Sequence, residues 1–240
     1  MQLRDKTILV TGASDGIGKQ LARQLKAAGA TVIVHGRTPE RLAVMASEGY
    51  ETIQADLSAP GGAEELLAKL GDRPLDILIN NAGAGADHDF REGQPDLGET
   101  DRTIQLNLTA PIHLITHLMP MLKGREEALI VNVTSGLAIA PRAGGSVYCA
   151  TKAALRSYTQ AVRYQLKDTK VRLLEALPPV VDTQLTTGRA GKKLSAAECA
   201  RQIIAAIESG AEEANVGMVG LLRRVYSLSP ALVRRIMITY

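Results

Sequence analysis

The chain has no tryptophan and a single phenylalanine, and aromatic residues make up only 3% of its 240 positions. Base stacking, the usual grip on single-stranded nucleic acid, therefore has little to work with. Charge of one sign is also scarce: the net charge is +3, too small an excess to point to a nucleic-acid partner. The two cysteines, Cys149 and Cys199, have no CxxC spacing and no histidine beside them. Neither a zinc site nor a disulfide framework is expected, and two unpaired thiols fit a reducing compartment. No run approaches the ~20 apolar residues of a membrane-spanning helix. Residues 1–6 lead straight into Thr7-Ile8-Leu9-Val10, too short and too charged for a signal peptide. A cytoplasmic protein without metal is the expectation. Repeats, low-complexity tracts and Pro/Ser linkers are missing too, so one domain over 1–240 is expected. Apolar residues at 45% and charged residues at 22% are ordinary globular usage. A chain of this length buries roughly 70% of its unfolded surface without needing a staple.

What the chain does have is an alternation. Short β-branched runs lie at 7–11, 31–34, 51–55, 76–79, 128–133, 171–176 and 215–219, several apolar almost throughout. Continuous apolar runs mark strands covered on both faces. Helix-period segments lie between most of them, at 17–28, 39–48, 62–70, 99–122, 147–167 and 196–209. Repeated strand–helix–strand units predict an α/β, Rossmann-type, doubly wound parallel sheet of about seven strands. In such a sheet ligands sit beyond the carboxyl ends of the strands, where strand order reverses.

The first strand is followed by Thr11-Gly12-Ala13-Ser14-Asp15-Gly16-Ile17-Gly18 and a helix. Glycines at these spacings allow a tight turn, a close ligand approach and close helix packing, and the helix N-terminus offers free N–H groups to a diphosphate. A P-loop is excluded: five residues separate Gly12 from Gly18, and Gln20 follows Lys19. A glycine turn with no ligand remains the bland alternative. The second strand runs into His35-Gly36-Arg37 with no acid to accept from a ribose 2′-OH. Arg37 is placed to pair with a 2′-phosphate, which predicts NADP(H) over NAD; a solvated surface charge is the alternative. Asp56-Leu57, after the third strand, is placed to accept from the adenine amino group, or to cap the next helix.

Further along stand Asn80-Asn81-Ala82-Gly83, Ser135, and Tyr148-Cys149-Ala150-Thr151-Lys152. On a helix, Tyr148 and Lys152 share a face. A lysine ammonium beside a phenol favours phenolate and lowers the tyrosine from its ordinary value of about 10. Such a phenol can protonate a developing alkoxide or deprotonate an alcohol, with Ser135 holding the same oxygen. Cys149, with no histidine partner, is expected to be a packing residue. Asn107 lies in Leu106-Asn107-Leu108-Thr109-Ala110-Pro111. Pro111 cannot donate to the carbonyl four residues back, so a helix kink that frees the Asn107 carbonyl for water is expected.

With TGxxxGIG, NNAG, Ser and YxxxK in this order, residues 5 to about 220 resemble the short-chain dehydrogenase/reductase family in its compact one-domain form. Pro178-Pro179 in place of the family's Pro-Gly, together with the C-terminal tail, is most similar to the DltE-type subgroup. The resemblance implies an NADPH-dependent carbonyl reductase, reversible as an alcohol dehydrogenase, with Tyr148 as acid/base and Ser135, Lys152 and Asn107 completing the catalytic set. In the family an asparagine at this place supports a water chain to the lysine. It further implies cofactor contacts from Gly12, Ser14, Asp15, Gly16, Ile17, Gly18, Arg37, Asp56, Leu57, Asn81, Ala82, Gly83, Tyr148, Lys152, Pro178, Val181 and Thr183, and a homodimer or homotetramer built through 99–122 and 147–167. The competing function is an NADP-binding sensor or scaffold without turnover. A third reading is a lipid or acyl-carrier-bound ketone, with the basic tail steering the carrier.

Three loops, 84–97, 136–147 and 184–194, are expected to flank the substrate with His88, Phe90, Arg91, Leu137, Ile139, Arg142, Leu185 and Arg189. An arginine there could hold an acidic substrate or simply be solvated. Gly188, Gly191, Lys192 and Lys193 read as a lid. His113 and His117 share a helix face but lack a third ligand, so they read as surface or interface residues. The extension 221–240 carries four arginines and no acid, and its apolar residues fall into sets before and after Pro230. Two short basic amphipathic helices are expected there, to cover the substrate cleft, to bury against a second subunit, or to rest on an anionic membrane surface, in that order. Small ketones, sugars, steroids and acyl thioesters stay unranked.

Overall fold

The structure is a computed structural model and describes every residue except Ala86, Arg189, Ala190 and Tyr240. Its centre is a seven-stranded, all-parallel sheet. In chain order the strands are β1 (Thr7–Val10), β2 (Thr31–Gly36), β3 (Glu51–Gln54), β4 (Ile77–Asn80), β5 (Ala128–Val133) and β6 (Val171–Leu177). A two-residue pair, β7 (Val181–Asp182) and β8 (Leu194–Ser195), stands apart, and β9 (Glu213–Asn215) completes the main sheet. The spatial order is β3-β2-β1-β4-β5-β6-β9. Strand order reverses between β1 and β4, so the crevice for a ligand opens beyond their carboxyl ends.

The near-continuous apolar strands are explained by cover on both sides. Ile8, Val10, Val32, Val34, Ile77, Ile79, Leu129 and Val131 belong to one core; the residues between them, Leu9, Ile33, Leu78 and Ile130, belong to the other. The side-chain period is two, but neither face meets water, so no polar residue is needed in the alternation. Helices α1 (Gly16–Ala27), α2 (Pro39–Ser47) and α7 (Ala196–Ser209) bury residues in the first core. Helices α3 (Gly62–Leu70), α5 (Ala110–Lys123) and α6 (Ser146–Gln165) bury theirs in the second.

Two readings are corrected. The segment expected as one helix over 99–122 is α4 (Leu97–Ile104), a π-helical turn (Gln105–Thr109) and α5, with the Ala110 N–H reaching back to the Gln105 carbonyl. A wider turn takes in the proline, which has no N–H of its own to give, without a sharp break. The last strand lies at Glu213–Asn215, not 215–219. Gly217 turns the chain with φ +57°, and the apolar Val216 and Val219 are buried in that turn and at the start of α8 (Val219–Leu228). After Ser229, Pro230 starts α9 (Pro230–Met237). Among the described residues no helix is long and apolar enough to cross a membrane.

Candidate functional site

Past the end of β1 the glycines are required by contact as well as by conformation. Gly12 has φ +62°, and a Cβ there would lie 2.8 Å from the Ala82 Cα; at Gly18 it would lie 2.3 Å from the Gly12 carbonyl oxygen. The segment after β4 is bolted onto this turn. The Thr11 hydroxyl accepts from the N–H groups of Asn81 and Ala82, both at 3.0 Å, and the Asn81 amide donates to the carbonyls of Thr11 (2.9 Å) and Gly12 (3.1 Å). Asp15 caps α1 by accepting from the Gly16 N–H at 2.7 Å. The result is a cleft of about 420 Å³ into which the start of α1 opens, with the unfilled N–H groups and partial positive charge that suit a diphosphate. This cradle fits a dinucleotide.

Ser14, Asp15, Gly16, Ile17, Arg37, Asp56, Leu57, Asn81, Ala82, Gly83 and Thr183 all line the cleft, and Gly12 forms its floor. Five other candidates, Gly18, Tyr148, Lys152, Pro178 and Val181, lie outside its wall. Gly18 packs α1 against Gly12 and Asn81. The Pro178 carbonyl accepts from the Gly136 N–H at 2.9 Å. Val181 is buried, and its carbonyl accepts from the Thr186 hydroxyl at 2.6 Å. Asp56 accepts from the backbone and hydroxyl of Ser58 (3.0 and 2.6 Å) and does not cap α3, whose N-cap is Gly61.

The cleft also contains residues that sequence reasoning missed. Arg41, in the first turn of α2, donates to Asp15 (3.0 Å) and Gln184 (2.6 Å) across the opening; its closeness in sequence to Arg37 was the available signal. His35 is buried, with Nδ1 accepting from the Gly12 N–H at 3.3 Å and Nε2 facing the Ala55 carbonyl at 3.1 Å. These partners assign a neutral ring protonated on Nε2, and burial pushes its pKa down to about 4. His35 thereby ties the glycine turn to the end of β3.

Beside the cleft is a second cavity of about 450 Å³, and Ser135 and Tyr148 both line it. The two meet along 83–85 and at Leu185, which faces both. The Ser135 hydroxyl accepts from the Leu137 N–H at 3.1 Å, and Tyr148 is half-buried. Lys152 follows the core-facing stripe of α6 that continues through Leu155, Thr159 and Val162. Its ammonium donates to the Val133 carbonyl at 2.9 Å and lies 5.8 Å from the centre of the Tyr148 ring. Asn107 is fully buried, and its side chain brackets Ala84, accepting from its N–H (2.9 Å) and donating to its carbonyl (2.8 Å). It donates as well to the Thr151 hydroxyl at 3.1 Å. Thr151, also unforeseen, donates to the Tyr148 carbonyl at 2.8 Å. Asn107 thus locks the 83–85 segment to the helix that carries Tyr148.

Burial lowers the Lys152 pKa from 10.5 to about 8, because the charged form loses its hydration. The folded chain therefore holds fewer protons than the unfolded chain between pH 8 and 10.5, and stability rises with pH across that window. Below pH 8 the full cost is present, about 3 kcal/mol at about 1.4 kcal/mol per pKa unit. Lys152→Met removes that cost and loses the bond to Val133, which contributes about 1 kcal/mol. The variant is expected to be more stable than the parent at pH 7 by about 1–2 kcal/mol, with the gain shrinking from pH 8 upwards. Urea unfolding at both pH values checks this, and a less stable variant at pH 7 contradicts it.

Of the residues expected around the substrate, Leu137 and Leu185 line the second cavity. Arg142 is paired with Asp87 and Arg91 with Asp89, while His88 stacks edge-on against Phe90. Arg189 lies outside the described residues. His113 and His117 face Glu64 on α3 at 2.9 and 4.0 Å, and no metal-binding cluster exists among the described residues. Cys199 is buried, which pushes its thiol up to about 12.

Comparison with known proteins matches residues 6–193 to the family model described as short chain dehydrogenase. An uncharacterized oxidoreductase, DltE, of Bacillus subtilis (strain 168) is 43% identical over 189 residues, covering 77% of this chain and 75% of that protein. An NADP-dependent 3-hydroxy acid dehydrogenase of Schizosaccharomyces pombe is 34% identical, with 78% of this chain and 76% of that protein covered. A solved structure, a short chain dehydrogenase from Burkholderia cenocepacia J2315 in complex with NADP, superposes with a TM-score of 0.89 over 100% of both chains at 25% identity.

Proposed function

The chain belongs to the short-chain dehydrogenase family and is a nicotinamide-dependent oxidoreductase, and from that premise we propose that it reduces a ketone with NADPH and oxidises the matching secondary alcohol with NADP. One observation carries this reading: Ser135 and Tyr148 line one cavity that adjoins the dinucleotide cleft, and Lys152 lies behind the tyrosine ring. When bound, the reduced nicotinamide supplies hydride to the carbonyl carbon. The chain's own residues handle the oxygen. Ser135 donates a hydrogen bond to it as negative charge grows, and the Tyr148 hydroxyl passes its proton to that oxygen, leaving phenolate. The Lys152 ammonium favours that phenolate electrostatically. Asn107 holds the 83–85 segment between the two cavities in place. Loss of NADPH absorbance over a panel of ketones tests the reading. Binding of NADPH without turnover of any carbonyl compound would leave the sensor or scaffold role instead.

The cofactor preference rests on the positive edge of the cleft. Arg37 is exposed at its rim after β2, beside Thr38 at the start of α2, and no carboxylate occupies the turn between them. Arg41 is already held by Asp15 and Gln184, which leaves Arg37 for the 2′-phosphate. Arg37→Asp removes a charge-assisted bond worth about 1.5–3 kcal/mol and adds repulsion. The ratio of kcat/KM for NADPH over NADH is expected to fall by about 100-fold; an unchanged ratio would remove the assignment. Assembly into dimers or tetramers through α4, α5 and α6 belongs to the same reading, where Leu97, Ile104 and Tyr164 stand exposed.

A further inference from the structure

The reductase reading leaves the substrate open, and the cavity that Ser135 and Tyr148 share narrows it. We infer that the substrate is an uncharged ketone carrying an extended apolar arm, which lies between the body of the fold and the two C-terminal helices. This inference rests on the reductase reading and adds the chemical class of the substrate.

The wall of the cavity comes from two sources. Leu137 and Leu185 belong to loops at the carboxyl edge of the sheet, whereas Leu222, Val225, Val233 and Met237 come from α8 and α9. Among the described lining residues, Ser135, Tyr148 and Thr186 are the only side chains with a hydroxyl, and none is charged. A carboxylate or ammonium group placed here would lose its hydration and gain no partner. The tail's arginines do not alter this. Arg223 pairs with Glu213 and with the Asn215 amide oxygen, and Arg234 donates to the Tyr226 hydroxyl at 3.1 Å; no arginine of the tail lines the cavity.

The tail helices are a fixed part of the wall. Val219 and Val233 are each 3% exposed, and a Cβ on Gly136 would lie 3.1 Å from Val219. At the far end, the Ala143 N–H donates to the Ile238 carbonyl at 3.0 Å. The rim is apolar as well: Met218, Leu221 and Ile236 line the cavity yet are 72%, 54% and 56% exposed. A volume of about 450 Å³ is far more than a three-carbon or four-carbon ketone fills. An alkyl arm running from the catalytic hydroxyls towards the rim exchanges water contact for Leu, Val and Met side chains along its length.

The test is a series of unbranched methyl ketones from butan-2-one to decan-2-one, read as kcat/KM with NADPH. The expected gain is about fourfold per added methylene, the equivalent of about 0.8 kcal/mol, until the cavity is filled. Acetoacetate, in which a charged carboxylate replaces the isopropyl group of 4-methylpentan-2-one, is expected to fall at least about 100-fold below that ketone, and dihydroxyacetone to fall below butan-2-one. Leu222→Ser and Val225→Ser, both on α8 and away from the sheet, should bring the gain per methylene down towards one. A flat series, or acetoacetate or dihydroxyacetone turned over as well as decan-2-one, overturns the apolar class while leaving a working reductase. Turnover of no ketone at all by protein that binds NADPH overturns the reductase reading itself.

Discussion

Tyr148→Phe is expected to lower kcat for ketone reduction by about 10²–10⁴-fold, the range a positioned general acid contributes, with NADPH affinity nearly unchanged. The substitution deletes one hydroxyl. The ring keeps its place on α6 beside the Lys152 ammonium, 5.8 Å from the ring centre, so the cavity wall survives. What disappears is the proton for the developing alkoxide, and Ser135 cannot replace it: a serine hydroxyl steadies the oxygen by hydrogen bond but is far too weak an acid to transfer its proton. The effect should therefore appear in kcat, not in cofactor binding. Stopped-flow measurement of hydride transfer with saturating NADPH checks it. A loss of less than tenfold would mean that another group supplies the proton.

Glu175→Gln is expected to destabilise the fold by about 3–5 kcal/mol, the cost of leaving one member of a buried ion pair without its partner. Glu175 is fully buried on β6. One carboxylate oxygen accepts from the Thr134 hydroxyl and the other from the Arg156 guanidinium, both at 2.7 Å. Arg156 reaches on to Glu213 at 3.6 Å, and Glu213 meets Arg223 of α8. The chain of charges runs from the residue before Ser135 to the helix that walls the substrate cavity. Glutamine keeps the shape and the bond to Thr134 but leaves the largely buried Arg156 guanidinium with only its longer pair to Glu213, at 3.6 Å. At about 2–4 °C per kcal/mol for a chain of this size, the melting temperature should drop by roughly 10 °C. A fall of under 1 kcal/mol in urea unfolding would mean that water reaches the pair. Glu175→Leu with Arg156→Met, which removes both charges, should recover most of the loss.

These two residues differ in how far the sequence reveals them. Tyr148 could be read because its partner is four residues away on one helix face, and Gly12, Gly16 and Gly18 because their spacing within one turn carries the chemistry. Their physics is local. Six of the seven strand runs were legible for the same reason, since the strands covered on both faces need no polar alternation. The run at 215–219 misled because Val216 and Val219 are buried without being a strand: Gly217 takes φ +57° and turns the chain between them. Glu175 looks in sequence like one acid among many. Its meaning lies in Thr134, Arg156 and Glu213, each about 20 to 40 residues away. Asn107 was located by Pro111, but its side-chain grip on Ala84 depends on two elements that meet only in the folded chain.

Reading residue order alone therefore yields the doubly wound sheet, the glycine turn and the Tyr148–Lys152 pair, since periodicity and short spacings encode all three, while Ser135 joins that pair through the family resemblance. Folding adds the character of the substrate cavity. Its wall joins segments near 85, 136, 180 and 220–237, and no local pattern reports how apolar an enclosure becomes when distant segments close around it. The tail reads in sequence as two basic amphipathic helices, with cover of the cleft ranked first but without the residues that would form the wall. Packing points Leu222, Val225, Val233 and Met237 into the cavity, because burying those side chains against the body of the fold is favourable and burying an unpaired guanidinium is not.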